Sequence, residues 1–354
     1  MAGRKTLGQF LDQATFEDAA SSLQLRALLH DLAAACKAIA RRLGDAPLRT
    51  ASAQGTPAGK PSGRHRSAIV GIDDRLSDDR RRVWIARLRS GGGNDRRSNA
   101  CHLYRGRYRA VLLPVDSPPN VEVNAPGGTI FSILRSEVGT QLLPEDGVRR
   151  AGRAHVCSGY AIHGASLVLV LALEEGVQAF ALDRQKDEFV LTHTDLRIPA
   201  ATDRIAIDAS RMRFWNPPIR RYVEECLAGK AGPRGKDFNA QWQGSIVVEA
   251  HRILMRGGIF VCPGNDGKTE ELRRDWLMQE ANPISFVIEK AGGRASTGTT
   301  RIFDIRQTAS SSRPALIFGS VEEVERLEAY HSGHFAGSYD APLFAERGLF
   351  RSSV

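Results

Sequence analysis

Apolar residues recur three and four apart between Leu23 and Leu43. Leu25, Leu28, Leu29, Leu32, Ala35, Cys36, Ile39 and Leu43 share one face, and Arg41-Arg42 fall in the last turn. That spacing predicts a core helix, capped by Ser21-Ser22 and preceded by a short amphipathic lead-in at Leu7 to Phe10 and Phe16. Further on the apolar runs shorten to strand length. Leu167 to Leu173, Val177 to Leu182, Phe189 to Thr192, Ile259 to Cys262, Ile302 to Ile305 and Ala315 to Ser320 read as strands with turn signals between them. Helical spacing returns at Trp215 to Leu227, at Pro283 to Ile288 and at Val321 to His331. Thr50 to Gly63 is rich in Ala, Ser, Gly and Pro and reads as a loop.

Composition bounds the class. At 354 residues the chain can bury one large or two medium cores, and 42% hydrophobic with 25% charged residues is ordinary for a globular protein. No run of eighteen apolar residues is present, so no membrane span is expected. The start, Met1 to Lys5, lacks the apolar core of a secretory leader. Cys36, Cys101, Cys157, Cys226 and Cys262 are scattered without metal or disulfide spacing, which suits a reducing cytoplasm. Formal charge is +9, but Arg64 to Arg109 holds thirteen Arg and no Lys against five Asp, a net +8, so one segment makes the protein basic.

Gly257 to Gly293 concentrates the chemistry. A strand, Ile259 to Cys262, is followed by a loop, then Glu280, then a helix opened by Pro283 and closed by Gly292-Gly293. An acid just ahead of a helix can hold a metal or serve a phosphate site, but spacing alone favours the plainer reading, an acid that stabilises its own helix dipole. His163, flanked by Gly164 and outside any motif, reads as structural.

The residue order says more than the spacing. Glu280-Ala281-Asn282-Pro283 followed by Glu289 to Gly293 resembles the C-terminal signature of class I fructose-1,6-bisphosphatases, E-[AC]-N-P. Gly244 to Arg252 and Gly257-Gly258-Ile259-Phe260 are similar to that family's G-S-M-V-A-[DE]-V-H-R and G-G-I-F block, and Gly128 to Ile133 to its G-T-I-F strand. Lys37-Ala38-Ile39 resembles the end of its first helix. The resemblance implies an α/β fold of α-β-α-β-α layers with two mixed sheets flanked by helices. It divides the chain into a metal and regulatory half (1–198), a sugar-phosphate half (199–335) and a tail (336–354) of the bacterial type. It implies Mg2+-dependent hydrolysis of fructose 1,6-bisphosphate to fructose 6-phosphate, with Mn2+ as an alternative ion, in gluconeogenesis or the Calvin cycle, by a cytoplasmic homotetramer.

Residue by residue, the resemblance makes Asp116 and Glu280 catalytic metal ligands and adds the Val115 carbonyl. Asn120, Asp208, Trp242 and Arg274 become substrate-binding residues. The departures are as specific as the matches. Leu113 to Asn120 reads L-P-V-D-S-P-P-N where the family has D-P-L-D-G-S-S-N: one metal aspartate is Leu113, and two prolines remove N–H donors from a phosphate loop. Asp208 stands for a substrate-binding Asn, Gln241 for a phosphate-binding Arg supplied by a neighbouring subunit, and Cys262 for a phosphate-contacting Tyr. The family's paired glutamates fall at Arg89 to Asp95, which has neither. Segment 64–109 is open to three readings: a solvated basic surface, a nucleic-acid site with Trp84, Tyr104 and Tyr108 interleaved, or degenerate coding sequence, the last fitting its composition best. Nucleic acid ranks last as a partner. A relative that binds sugar phosphate or a partner subunit without turnover is the alternative function.

Overall fold

The computed structural model describes residues 4–14, 19–45, 101–105, 108–135, 155–264, 276–305 and 313–333. The loop at 50–63, the arginine-rich segment up to residue 100, Arg274 and the tail 336–354 lie outside the described residues.

Helix α1 (Leu7–Gln13) opens on a capping box, in which Thr6 Oγ1 accepts the Gln9 N–H at 3.3 Å and Gln9 Oε1 accepts the Thr6 N–H at 3.0 Å. Helix α2 (Ala19–Gly44) starts earlier than its serines suggested, so Ser21 and Ser22 lie inside its first turn. Both helices cover one face of a seven-stranded sheet. Its strands are β1 (Cys101–Arg105), β2 (Tyr108–Leu113), β3 (Gly127–Arg135), β4 (His155–His163), β5 (Leu167–Leu173), β6 (Gly176–Asp183) and β7 (Glu188–His193), in sequence order. Between β2 and β3 lies the short helix α3 (Pro118–Glu122).

Every neighbour pair in this sheet is antiparallel, which corrects the expectation of two mixed sheets. The reason is local: β5 and β6 are joined by Glu174-Glu175 alone, far too short for the crossover a parallel pair needs. Strand β1 also lies inside the arginine-rich segment, so regular structure resumes before Arg105. Arg109, on β2, is 5% exposed and belongs to the interior rather than to a solvated basic face.

The second sheet is mixed. Strands β8 (Arg204–Ile207), β9 (Asn239–Ala240), β10 (Ile259–Cys262), β11 (Arg294–Ser296) and β12 (Leu316–Gly319) lie in the order β11-β12-β10-β8-β9. Strand β8 runs parallel to β9 and β10, and the remaining pairs are antiparallel. Helices α4 (Pro217–Leu227), α5 (Ile246–Arg256), α6 (Asn282–Lys290) and α7 (Val321–His331) complete the fold.

Side-chain alternation sorts these elements into five layers. Phe131, Leu169 and Phe180 face α1 and α2. Ile130, Tyr160 and Val170, one residue out of step, face α5 and α6, whose other side meets Phe260 and Phe318 of the mixed sheet. Ile205, Ile259 and Ile317 then face α4 and α7. Strands buried on both faces read as unbroken apolar runs, which is why Leu167 to Leu173 is legible as a strand without alternation. Two expectations fail. Ile302 to Ile305 forms a 3-10 turn (Ile302–Asp304), because Phe303 packs edge-on against Phe286 and His155 instead of pairing into the sheet. Trp215 does not begin α4; it ends a 3-10 turn (Ala209–Phe214), and Asn216 caps the helix through the Ile219 N–H.

A buried ion pair locks the outer layer. Arg234 Nη2 donates to both Glu323 oxygens at 2.7 and 2.6 Å, and Tyr222 OH donates to the same carboxylate at 2.7 Å. Their side chains are 4% and 3% exposed, so removing one partner strands a charge in the interior. Glu323→Ala is expected to lower unfolding free energy by about 3–5 kcal/mol, read from urea midpoints at constant m.

Candidate active site

The loop after β2 is held by one carboxylate. Asp116 Oδ1 accepts the Gly128 N–H at 2.7 Å, and its Oδ2 accepts Ser245 Oγ at 2.6 Å and the Val247 N–H at 3.0 Å. The β2–β3 loop is thereby fastened to the first turn of α5. Ser245 also caps α5, accepting the Val248 N–H at 3.2 Å. Burial raises the Asp116 pKa, and the bonds from Ser245, Val247 and Gly128 pull it part of the way back. A Cβ on Gly128 would lie 2.3 Å from the Val247 side chain, so this approach of strand to helix requires glycine.

Asn120 reinforces the junction. Its Nδ2 donates to Pro126 O at 2.9 Å and to Gln243 O at 2.8 Å, binding α3 to the segment that leads into α5. Pro118 and Pro119 occupy the first helical positions of α3, where a missing N–H costs least. Val115 sits between Pro114 and Asp116 with its side chain buried.

Trp242 and Asp208 come from the mixed sheet. Ile207 pairs with Val261, which sets Asp208 beside Cys262, the last residue of β10; Ile205 pairs with Ala240, so β9 ends two residues short of β8 and the chain continues past it as Gln241-Trp242. Gln241-Trp242, Asp208 and Cys262 thus lie at the carboxyl ends of three parallel strands, the usual ligand crevice of an open α/β sheet. Trp242 is 40% exposed and stacks on Phe260 with ring centroids 5.8 Å apart. Asp208 is turned into its own chain: Oδ1 accepts the Ser210 N–H at 3.0 Å and Ser210 Oγ at 2.6 Å, capping the following turn.

Glu280 does not sit in a loop ahead of a helix. It lies within a π turn (Leu277–Ala281) continuous with α6, in which the Asn282 N–H reaches back to Leu277 O. Pro283 has no N–H to offer Gln279 O, and the wider turn absorbs that loss. The turn lies against β2 and β3, on the sheet whose loop carries Asp116. Helix α6 ends as expected: the Gly293 N–H reaches Ile288 O at 2.9 Å, with Gly292 at φ +81°.

The structure thus gathers Asp116, Asn120 and, through the 241–247 segment, Trp242; it sets Asp208 on the same sheet edge and Glu280 in a separate helical turn. Arg274 is outside the described residues. Among those described, no group of three or more His, Cys, Asp or Glu could hold a metal ion. Asp116 already accepts three protein hydrogen bonds. The described residues alone therefore do not fit a divalent-ion site.

Three features escaped the sequence reading. Ser245 is the hydroxyl partner of Asp116. Arg313 reaches the end of β10 from the segment before β12, its Nη2 lying 3.9 Å from Cys262 Sγ, a proximity that no spacing in the sequence shows. His163, read as structural, proves to be a neutral support. Thr129 Oγ1 lies 2.7 Å from Pro114 O and from His163 Nε2; the carbonyl can only accept, so His163 Nε2–H donates to the threonine. Its Nδ1 is buried without a hydrogen-bond partner among the described residues.

Solved structures share this fold. The holo and apo forms of Leishmania major fructose-1,6-bisphosphatase superpose with TM-scores of 0.72 and 0.71, at 24% and 23% identity, over 93% of this chain and all of theirs. The fold is that of the sugar bisphosphatases. The fructose-1-6-bisphosphatase N-terminal domain model matches residues 94–194, and the C-terminal domain model matches 198–332. The class 1 fructose-1,6-bisphosphatases of Methylibium petroleiphilum and Hydrogenophilus thermoluteolus are each 40% identical, covering 98% and 99% of this chain and 98% of theirs. That of Methylacidiphilum infernorum is 45% identical over 70% of each. The chain belongs to the class 1 fructose-1,6-bisphosphatase family.

Two outcomes follow from the site. Asp116→Ala leaves the Ser245 hydroxyl and two buried N–H groups unpaired and is expected to lower unfolding free energy by about 2–4 kcal/mol in urea titration, with Asp116→Asn intermediate. Burial lowers the pKa of both His163 and His251 from 6.5 to about 4. The unfolded imidazoles bind protons first as pH falls, so the stability they confer is complete above pH 6.5 and is lost on the way down to about 4. The loss is up to about 3 kcal/mol per histidine. His163→Gln should flatten that slope in unfolding measured between pH 7.5 and 4.5.

Proposed function

We propose that this protein removes the 1-phosphate of fructose 1,6-bisphosphate, giving fructose 6-phosphate and inorganic phosphate. The observation that carries the reading is near-full-length identity of 40% to class 1 fructose-1,6-bisphosphatases. The reaction is phosphoric monoester hydrolysis, and it requires an attacking water to be oriented and the spreading negative charge of the transferring group to be balanced.

In this reading the half up to residue 198 carries the reacting end and 199–335 carries the sugar and its second phosphate. Asn120 and Asp116 hold the two halves of the cleft in register. Trp242, braced on Phe260, offers the sugar a flat apolar wall, and Asp208 and Arg274 complete the substrate contacts. Glu280 is the acid we assign to the reacting phosphate. Magnesium, with manganese as the alternative, is the ion proposed on family grounds, with Asp116, the Val115 carbonyl and Glu280 as its ligands. Because the described residues do not by themselves form its site, further ligands have to come from outside them. A homotetramer in the cytoplasm, serving gluconeogenesis or the Calvin cycle, is the matching cellular reading; no helix among the described residues is long and apolar enough to cross a membrane.

The test is phosphate release from fructose 1,6-bisphosphate by purified protein, with and without magnesium or manganese. Wild type is expected to turn over, and Glu280→Gln to lose at least about 100-fold in kcat with unchanged far-UV circular dichroism. Wild-type protein that releases no phosphate with either ion would refute the reading.

A further inference from the structure

Pro114 is the first residue past the ladder of β2 and β3, whose last pair is Leu113 with Ile130. Its carbonyl takes a side-chain donor, Thr129 Oγ1, at 2.7 Å. Two residues on, the Asp116 N–H donates to Gly128 O at 2.9 Å, and the Gly128 N–H donates back to Asp116 Oδ1 at 2.7 Å. Adjacent residues of β3, Gly128 and Thr129, therefore grip the loop on either side of Val115. The loop is also held from both faces of the sheet. Asp116 Oδ2 ends on α5, on one face. Thr129 shares the other face with Phe131 by strand alternation, the face covered by α1 and α2.

His163 decides which way the Thr129 hydroxyl points. It stands two residues along β4 from Ala161, the residue paired with Thr129, so its ring reaches the threonine diagonally, with Nε2 2.7 Å from Oγ1. A carbonyl only accepts, so the threonine proton is committed to Pro114 and Nε2–H donates to the threonine oxygen. Burial holds the His163 pKa down at about 4, which keeps the ring a neutral donor at ordinary pH. As packing the arrangement is poor. Nδ1 is buried with no hydrogen-bond partner among the described residues, a penalty that an apolar side chain would avoid. A group kept in the interior against that penalty has a duty other than stability.

We infer that Thr129 and His163 are a positioning pair for the reaction: the chain of bonds from His163 Nε2–H through the Thr129 hydroxyl to the Pro114 carbonyl holds the loop bearing Asp116 and Asn120 in its working conformation. The inference rests on the proposed hydrolytic reading and deepens it. Neither residue is placed against the substrate; both act through the backbone between Pro114 and Asp116. Pro118 and Pro119 stiffen the far side of this loop, so a loop released at Pro114 gains its freedom at Val115. A shift of about 1 Å beside reacting groups costs on the order of 100-fold in rate.

The experiment compares Thr129→Val, Thr129→Ser and His163→Leu with the intact wild type by two readouts. One is amide hydrogen exchange over residues 113–120, and the other is phosphate release from fructose 1,6-bisphosphate with magnesium present. Valine has the shape of threonine without its proton. Thr129→Val is expected to speed exchange of the loop at least about tenfold while β5 and β6 exchange as before. It is also expected to lower kcat at least about tenfold with KM within about threefold. Thr129→Ser restores the donor and is expected to match wild type in both. His163→Leu is expected to lower kcat at least about threefold while raising the urea midpoint, a divergence that a merely structural role does not produce. Unchanged loop exchange in Thr129→Val, faster exchange with kcat unchanged, or equal losses in the valine and serine variants would each overturn the inference. His163→Leu that loses stability and keeps kcat would strike His163 from the pair. Active wild type matched by Thr129→Val sinks the inference alone. Wild type that releases no phosphate sinks the hydrolytic reading, and loop exchange that still depends on the Thr129 hydroxyl then leaves the grip on the loop standing.

Discussion

One buried carboxylate joins the two halves of this protein. Asp116 leaves the antiparallel sheet on the loop after β2 and accepts from the first turn of α5, which packs between the sheets. Without that contact the β2–β3 loop and the N-terminus of α5 would each present unpaired donors to the interior. The cost of taking the charge out of water shows in its raised pKa, and three hydrogen bonds offset it. Gly128 makes the same joint possible sterically, since the strand meets Val247 where no side chain fits. The arrangement gives Asp116 a structural duty whatever its chemical one.

The rest of the site is arranged around this joint by sheet topology. Parallel pairing of β9, β8 and β10 brings Trp242, Asp208 and Cys262 to one edge although they are distant in sequence. Asn120, bonded to Gln243, connects that edge to the Asp116 loop. The π turn before Pro283 places Glu280 against the antiparallel sheet rather than at the mouth of a helix. Arg313, from the segment before β12, brings a positive charge beside Cys262.

Much of this was legible in the residues. The period of α2, the strand-length runs, and the span of α7 all follow from apolar spacing alone, because burial on one or two faces leaves a direct mark on sequence. The site was legible only where a motif spanned it, as from Glu280 to Pro283. What could not be read depends on contacts between distant segments. Asp208 looks like a ligand residue in a strand and is a cap for its own turn. Glu280 looks like a residue ahead of a helix, because Pro283 suits a first position, yet the helical path already runs through it. Ile302 to Ile305 has the apolar content of a strand, but Phe303 finds aromatic partners in the central layer. Arg313 carries no signal until its segment is laid beside Cys262.

The strictly sequential order of β1 to β7 bears on how the chain is made. Among the described residues the strands of this sheet follow one another in sequence order, with Thr6 bridging Val190 at the far edge, so the sheet can assemble from neighbouring strands while the C-terminal half is still on the ribosome. Its face bearing Ile130, Tyr160 and Val170 stays bare until residues 246–290 emerge to cover it. A nascent chain paused before that point would display a wide oily surface, and its yield in a cell would depend on what shields it meanwhile.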